Sequence, residues 1–63
     1  MNLVEEYLSN NKNLKLSTKS LSKRLNIKNK KVIYLCYNSK LLRNVKPIEV
    51  GSLAAKLNVF TFL

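Results

Sequence analysis

The sequence contains no histidine, no tryptophan and no aspartate, and only one cysteine, one glycine and one proline. Each absence removes a class of function. A single thiol, Cys36, with three scattered glutamates cannot assemble a zinc site, so neither a metal nor any other cofactor is expected. One cysteine also rules out an internal disulfide. Without histidine, paired carboxylates, a glycine loop to cradle phosphate or a nucleophile beside a base, the chain is read as a non-enzyme. No run of apolar residues is long enough to span a bilayer, and no membrane partner is expected. Met1-Asn2-Leu3-Val4-Glu5-Glu6 lacks the basic start and apolar stretch of a signal peptide. With a lone thiol, which suits a reducing compartment, the expectation is an intracellular protein.

Acidic residues are nearly missing too. Three Asp and Glu face twelve Lys and Arg, a formal net charge of +9 on 63 residues. Such a field attracts polyanions, and phosphate backbones above all. The length suits one domain, residues 1–63, whose stability must come from a small core, with or without help from a partner.

Gly51 and Pro47, the strong breakers, both fall in the last third, so the first two thirds are expected to be mostly helical. Leu3, Val4, Tyr7 and Leu8 recur at helical spacing and predict a first helix over 2–11. Glu5 and Glu6 suit the positive end of its dipole, and Asn10 and Asn11, tolerant of left-handed backbone, suit its end. Leu14-Lys15-Leu16 alternates like a very short strand. Ser17 or Thr18 then caps a second helix with Leu21 and Leu25 as its apolar stripe, ending near Asn26, and Ile27 is expected to be a buried turn residue.

A third helix is predicted from Lys28 or Asn29 to about Ser39. At about 100° per residue, Val32, Leu35, Cys36 and Ser39 share one side, and Lys30, Lys31, Tyr34, Tyr37 and Asn38 share the other. Cys36 is therefore read as a small buried hydrophobe. Leu41 to Lys46 reads as a strand, Pro47 to about Lys56 as a protruding loop, and Leu57 to Leu63 as a second strand with Phe60 and Phe62 on its core face.

The order helix, short strand, helix, turn, helix, strand, loop, strand resembles the winged helix-turn-helix family over essentially the whole chain. LSTKSLSKRLNIKNKKVIYLCYNSKLL carries the helix-turn-helix pair, and NVKPIEVGSLAAKLNVFTFL carries the wing and its flanking strands. The resemblance implies an α+β fold of three helices and a two- or three-stranded antiparallel sheet. It also implies binding to double-stranded DNA, in a regulatory (transcriptional) or architectural role, with the third helix at the major groove. The layout and the short stretch before the third helix also resemble the Zα domains, which bind left-handed nucleic acid with a lysine, an asparagine and a tyrosine of the third helix. Tyr37 matches the tyrosine, but Ile33 and Asn29 stand where the asparagine and the lysine belong, Pro47 is the lone wing proline, and tryptophan is absent. The shared architecture therefore does not carry Z-form binding with it.

The candidate nucleic-acid-binding residues are Lys28, Asn29, Lys30, Lys31, Tyr34, Tyr37, Asn38, Arg43 and Lys46. The lysines suit phosphates, Asn38 a base edge, and the tyrosines phosphates or stacking. Each has a plainer alternative. The lysines can be a solvated helix start, although three cations at the positive end of a dipole are locally unfavourable. Tyr37 can pack against the wing, and Arg43 and Lys46 can guard an edge strand. Lys19, Lys23 and Arg24 fall on the second helix, which crosses the backbone in such folds. RNA ranks below DNA, since no RNA-recognition motif is present. A different class remains open, a winged-helix subunit of a larger assembly such as a polymerase, ribosomal particle or virion. Ile48, Val50, Leu53, Ala54 and Ala55 make the wing apolar enough to dock on a protein partner or a second copy.

Overall fold

Asn2 starts the first helix by closing on it. Its side chain accepts a hydrogen bond from the Glu5 amide at 2.8 Å, and the Glu5 carboxylate accepts one from the Asn2 amide at 2.8 Å. This reciprocal cap satisfies two of the donors that every helix start leaves unpaired. Helix α1 runs Leu3–Ser9, shorter at both ends than the apolar spacing predicts. Asn10 ends it in right-handed backbone, and the left-handed asparagine is instead Asn26.

Strand β1 is the two residues Leu16–Ser17. The Ser17 hydroxyl then accepts from the Ser20 amide and caps helix α2, Thr18–Leu25. Asn26, at φ 54 and ψ 46, stops α2 and turns the chain. The Ser22 hydroxyl donates to the Ile27 carbonyl across that turn, and Ile27 is half-buried. Helix α3, Asn29–Tyr37, follows at once. Strand β2 is Leu42–Lys46, a 3₁₀ turn covers Ala55–Leu57, and strand β3 is Val59–Phe62.

A computed structural model describes all of residues 1–63 in this way. The three strands form one antiparallel sheet in the order β1-β3-β2, so the last strand is central. The protein is a small α+β fold of three helices and a three-stranded sheet, compatible with a winged helix. The loop between β2 and β3 is its wing.

One cluster holds the elements together. Val4 and Leu8 of α1, Leu16 of β1, Leu21 of α2, Val32 and Cys36 of α3, Leu42 of β2 and Phe60 of β3 bury their side chains against one another. Each large apolar side chain removed from water contributes about 1.5–3 kcal/mol, so every element is fastened by at least one such anchor. Burial pushes the Cys36 thiol up to about 12, so at neutral pH it is a protonated core side chain. Because β3 is central, both of its edges are paired. Phe60 is buried among the helices, and on the other face the Thr61 hydroxyl donates to the Leu14 carbonyl at 3.0 Å. Three polar side chains, Thr18, Asn58 and Thr61, are buried, and no buried side-chain nitrogen or oxygen lacks a partner.

Candidate nucleic-acid interface

Helix α3 is amphipathic in the way its sequence predicts. Val32 and Cys36 are buried and Leu35 and Ser39 are half-buried, whereas Lys30, Lys31, Tyr34, Tyr37 and Asn38 are exposed. Tyr34 is 64% exposed, with a free aromatic face beside the two lysines. Asn29 is half-buried and lies at the edge of this surface.

The start of α3 differs from the starts of α1 and α2. Lys28 occupies the cap position and supplies no side-chain hydrogen bond, and the first turn holds no acidic residue. Lys28, Lys30 and Lys31 are all exposed there. Unpaired amide donors and a positive dipole end therefore coincide with three cations. Repulsion among them costs stability, and an anion brought to this end relieves it.

The structure engages polar groups of two candidates on the same helix. The Asn38 amide nitrogen donates to the Tyr34 carbonyl at 2.8 Å, one turn back. Bidentate reading of adenine needs one N–H and the oxygen of an asparagine, and Asn38 keeps its second N–H and its side-chain oxygen free for it. The Tyr37 hydroxyl is engaged twice, donating to the Ile48 carbonyl and accepting from the Asn44 amide, each at 3.2 Å. Its ring meets Phe60 edge-on at 5.3 Å and 81°. Of the two readings of Tyr37, packing against the wing is the one seen.

Arg43 and Lys46 are not gathered with the lysines of α3. Arg43 pairs with Thr61 and Lys46 with Val59. Directly paired residues of an antiparallel sheet point to the same face, and neighbours along a strand alternate. Both side chains therefore lie on the face opposite Phe60 and Tyr37. They are exposed, on an edge strand, where charge also discourages pairing with other sheets.

A residue that sequence reasoning passes over organises the wing. Asn58 is 0% exposed. Its side-chain oxygen accepts from the Ile48 amide and from the Asn44 side-chain amide, and its side-chain nitrogen donates to the Ala55 carbonyl at 2.8 Å. The main-chain donor on one side and the carbonyl on the other leave only one orientation for this amide. Its own carbonyl accepts from the Thr18 amide at 2.9 Å, and the Thr18 hydroxyl reaches the Ala55 carbonyl at 3.5 Å. The second half of the wing thus folds back onto α2, with Ala55 buried, and is not an open loop. The signal available in the sequence was one asparagine inside an otherwise apolar, β-branched run. A bulge at Val45, between the Asn44–Phe60 and Lys46–Val59 pairs, turns β2 out into the wing.

Beyond its base the wing is open. Val50 is 54% and Leu53 98% exposed, near the turn where Gly51 takes φ 101. The two hollows of the surface lie elsewhere, along Asn10–Leu14 and between Leu3, Tyr7 and Leu25. The basic face of α3 therefore lies outside both hollows. No family model, no curated protein and no solved structure matches this chain.

Proposed function

We propose that this chain binds double-stranded nucleic acid, DNA in preference to RNA, mainly through phosphate contacts from the outer face of α3 with help from the wing. One observation carries the reading. Lys28, Lys30 and Lys31 stand exposed around a helix start that nothing in the fold caps, on a chain of net charge +9. Phosphates are the ligand that such an arrangement favours most, since they meet amide donors, dipole and lysines together. DNA is preferred on geometric grounds. The major groove of B-form DNA admits a helix, whereas that of A-form RNA is deep and narrow. Tyr34, Asn38 and Lys30 would add sequence preference. A regulatory or architectural role follows from binding of this kind.

Fluorescence anisotropy with labelled duplex DNA and duplex RNA of mixed sequence, at low and near-physiological salt, tests the proposal. The expected result is micromolar or tighter affinity for DNA that falls steeply with salt, because each neutralised phosphate releases counterions. Absence of binding to either duplex at low salt overturns it.

A second reading, a docking subunit of a larger assembly, is favoured by the exposure of Val50 and Leu53 at the wing tip. In that case the basic face meets an acidic protein surface. Duplex affinity would then be weak, and Leu53→Ser would abolish assembly without changing it.

A further inference from the structure

We infer that Tyr37 is a positioning residue, which locks the wing onto α3 so that the helix face and Lys56 of the wing act as one rigid unit. The part of this that concerns binding rests on the nucleic-acid reading above; the lock itself does not.

The chemistry of the hydroxyl leads to this assignment. A phenol has one donor and an acceptor oxygen. In Tyr37 the donor is used on the Ile48 carbonyl and the oxygen on the Asn44 amide. The same Asn44 amide nitrogen donates its other hydrogen to the Asn58 oxygen, and that oxygen also accepts from the Ile48 amide. Tyr37, Asn44, Asn58 and Ile48 therefore form a closed ring of hydrogen bonds. Ile48 is held at both its main-chain groups, once from α3 and once from the far end of the wing. The remaining oxygen of Asn44 accepts from the Lys46 amide at 3.1 Å, which fixes the bulge where the wing leaves the sheet. The Tyr37 ring rests edge-on against buried Phe60, so the hydroxyl cannot swing to a new partner without lifting the ring off the core.

The ring of bonds has a consequence for binding. Lys56 closes the exposed part of the wing, two residues before Asn58, and is itself exposed, whereas Lys46 at the other end faces away from α3. Two basic elements on one duplex strengthen each other only when their spacing is held, since ordering a loose loop on contact costs entropy. Tyr37 sets that spacing. It affects recognition through the wing and not by touching a base.

The test uses Tyr37→Phe, which keeps the ring against Phe60 and removes only the hydroxyl. The first readout is amide hydrogen exchange in the free protein. The Ile48 amide is expected to exchange about three- to tenfold faster, the factor that corresponds to one typical net hydrogen bond, with amides in α1 unchanged. Unchanged exchange at Ile48 overturns the lock, whatever the protein binds. The second readout is a double-mutant cycle on a labelled DNA duplex, pairing Tyr37→Phe with Lys56→Ala. Loss of Lys56 is expected to weaken binding several-fold in the parent and hardly at all in the Tyr37→Phe background. Additive effects overturn the positioning role and make Tyr37 a direct contact. A parent protein that shows no duplex affinity removes the nucleic-acid reading, and the exchange result still decides the lock.

Discussion

Helices α1 and α3 begin in opposite ways. At α1, Asn2 and Glu5 exchange hydrogen bonds, and Glu5 and Glu6 sit at the positive dipole end. The Ser39 hydroxyl adds a further bond to Glu5 from beyond the end of α3. At α3, Lys28 caps nothing and the nearest charges are lysines. The base of the wing belongs with α1, because Asn58 and its neighbours leave no polar atom unpaired. A chain whose size gives it little stability closes its polar groups wherever the fold requires it and leaves one helix start open. The contrast separates residues that hold the fold from residues free to meet a ligand.

The closed side breaks hardest at Asn58. Asn58→Ala removes the side-chain bonds to Ile48, Asn44 and Ala55 and is expected to cost about 3 kcal/mol of stability, with much smaller loss if the site admits water. Thermal denaturation followed by circular dichroism would show it as a fall in Tm of about 15 °C or more.

On the open side, Lys30→Ala/Lys31→Ala is expected to leave Tm unchanged or slightly raised. The same double variant should weaken duplex binding by about 2 kcal/mol and lower the slope of log affinity against log salt by about 2. A large loss of Tm in this variant would place these lysines with the fold and erase the contrast.

Asn2→Ala sharpens the comparison from the other end. Losing the α1 cap is expected to cost about 1 kcal/mol of stability, with duplex affinity at a concentration of folded protein left as it was.

The smallest effect is that of acid on the same cap. The Ser39 hydroxyl, and after it the Asn2 amide, hold the Glu5 carboxyl below its ordinary value of 4.5. A depressed carboxyl contributes stability above its unfolded value and loses it as pH falls through the folded one. Melting temperature should therefore fall as pH drops below about 4.5, more gently in Glu5→Gln than in the parent.

How much of this could be read from the sequence depended on whether the cause was local. Helical periodicity located all three helices, because an apolar stripe repeats within a few residues of itself. The two faces of α3 followed from the same period, and so did the burial of Val32 and Cys36. Ends were less legible. Asn2 was taken into α1, yet it caps it, since capping there depends on one side-chain bond and not on a pattern, and Asn10 ends the helix as expected but one residue before Asn11 and in right-handed backbone. The wing was read as a plain loop because its order comes from Asn58 reaching Ile48, ten residues away, and from Thr18 at the start of α2. No periodicity encodes such a contact. For the candidate site, Lys28, Lys30, Lys31 and Tyr34 lie together as expected. The Tyr37 hydroxyl and one N–H of the Asn38 amide are engaged within the fold, and Arg43 and Lys46 face away because pairing with β3 fixes their side of the sheet.

Lys28→Asp tests the central claim most directly, with Tm and duplex affinity measured on the same preparation. An aspartate here supplies the missing cap and removes a cation from the positive dipole end. Tm should rise by about 5 °C, the equivalent of about 1 kcal/mol for a domain of this size, while affinity for duplex DNA falls. Stability and binding would then move in opposite directions at a single residue. A rise in Tm with affinity unchanged would contradict the account, because the open start of α3 would then be a defect of the fold and not a place for phosphate.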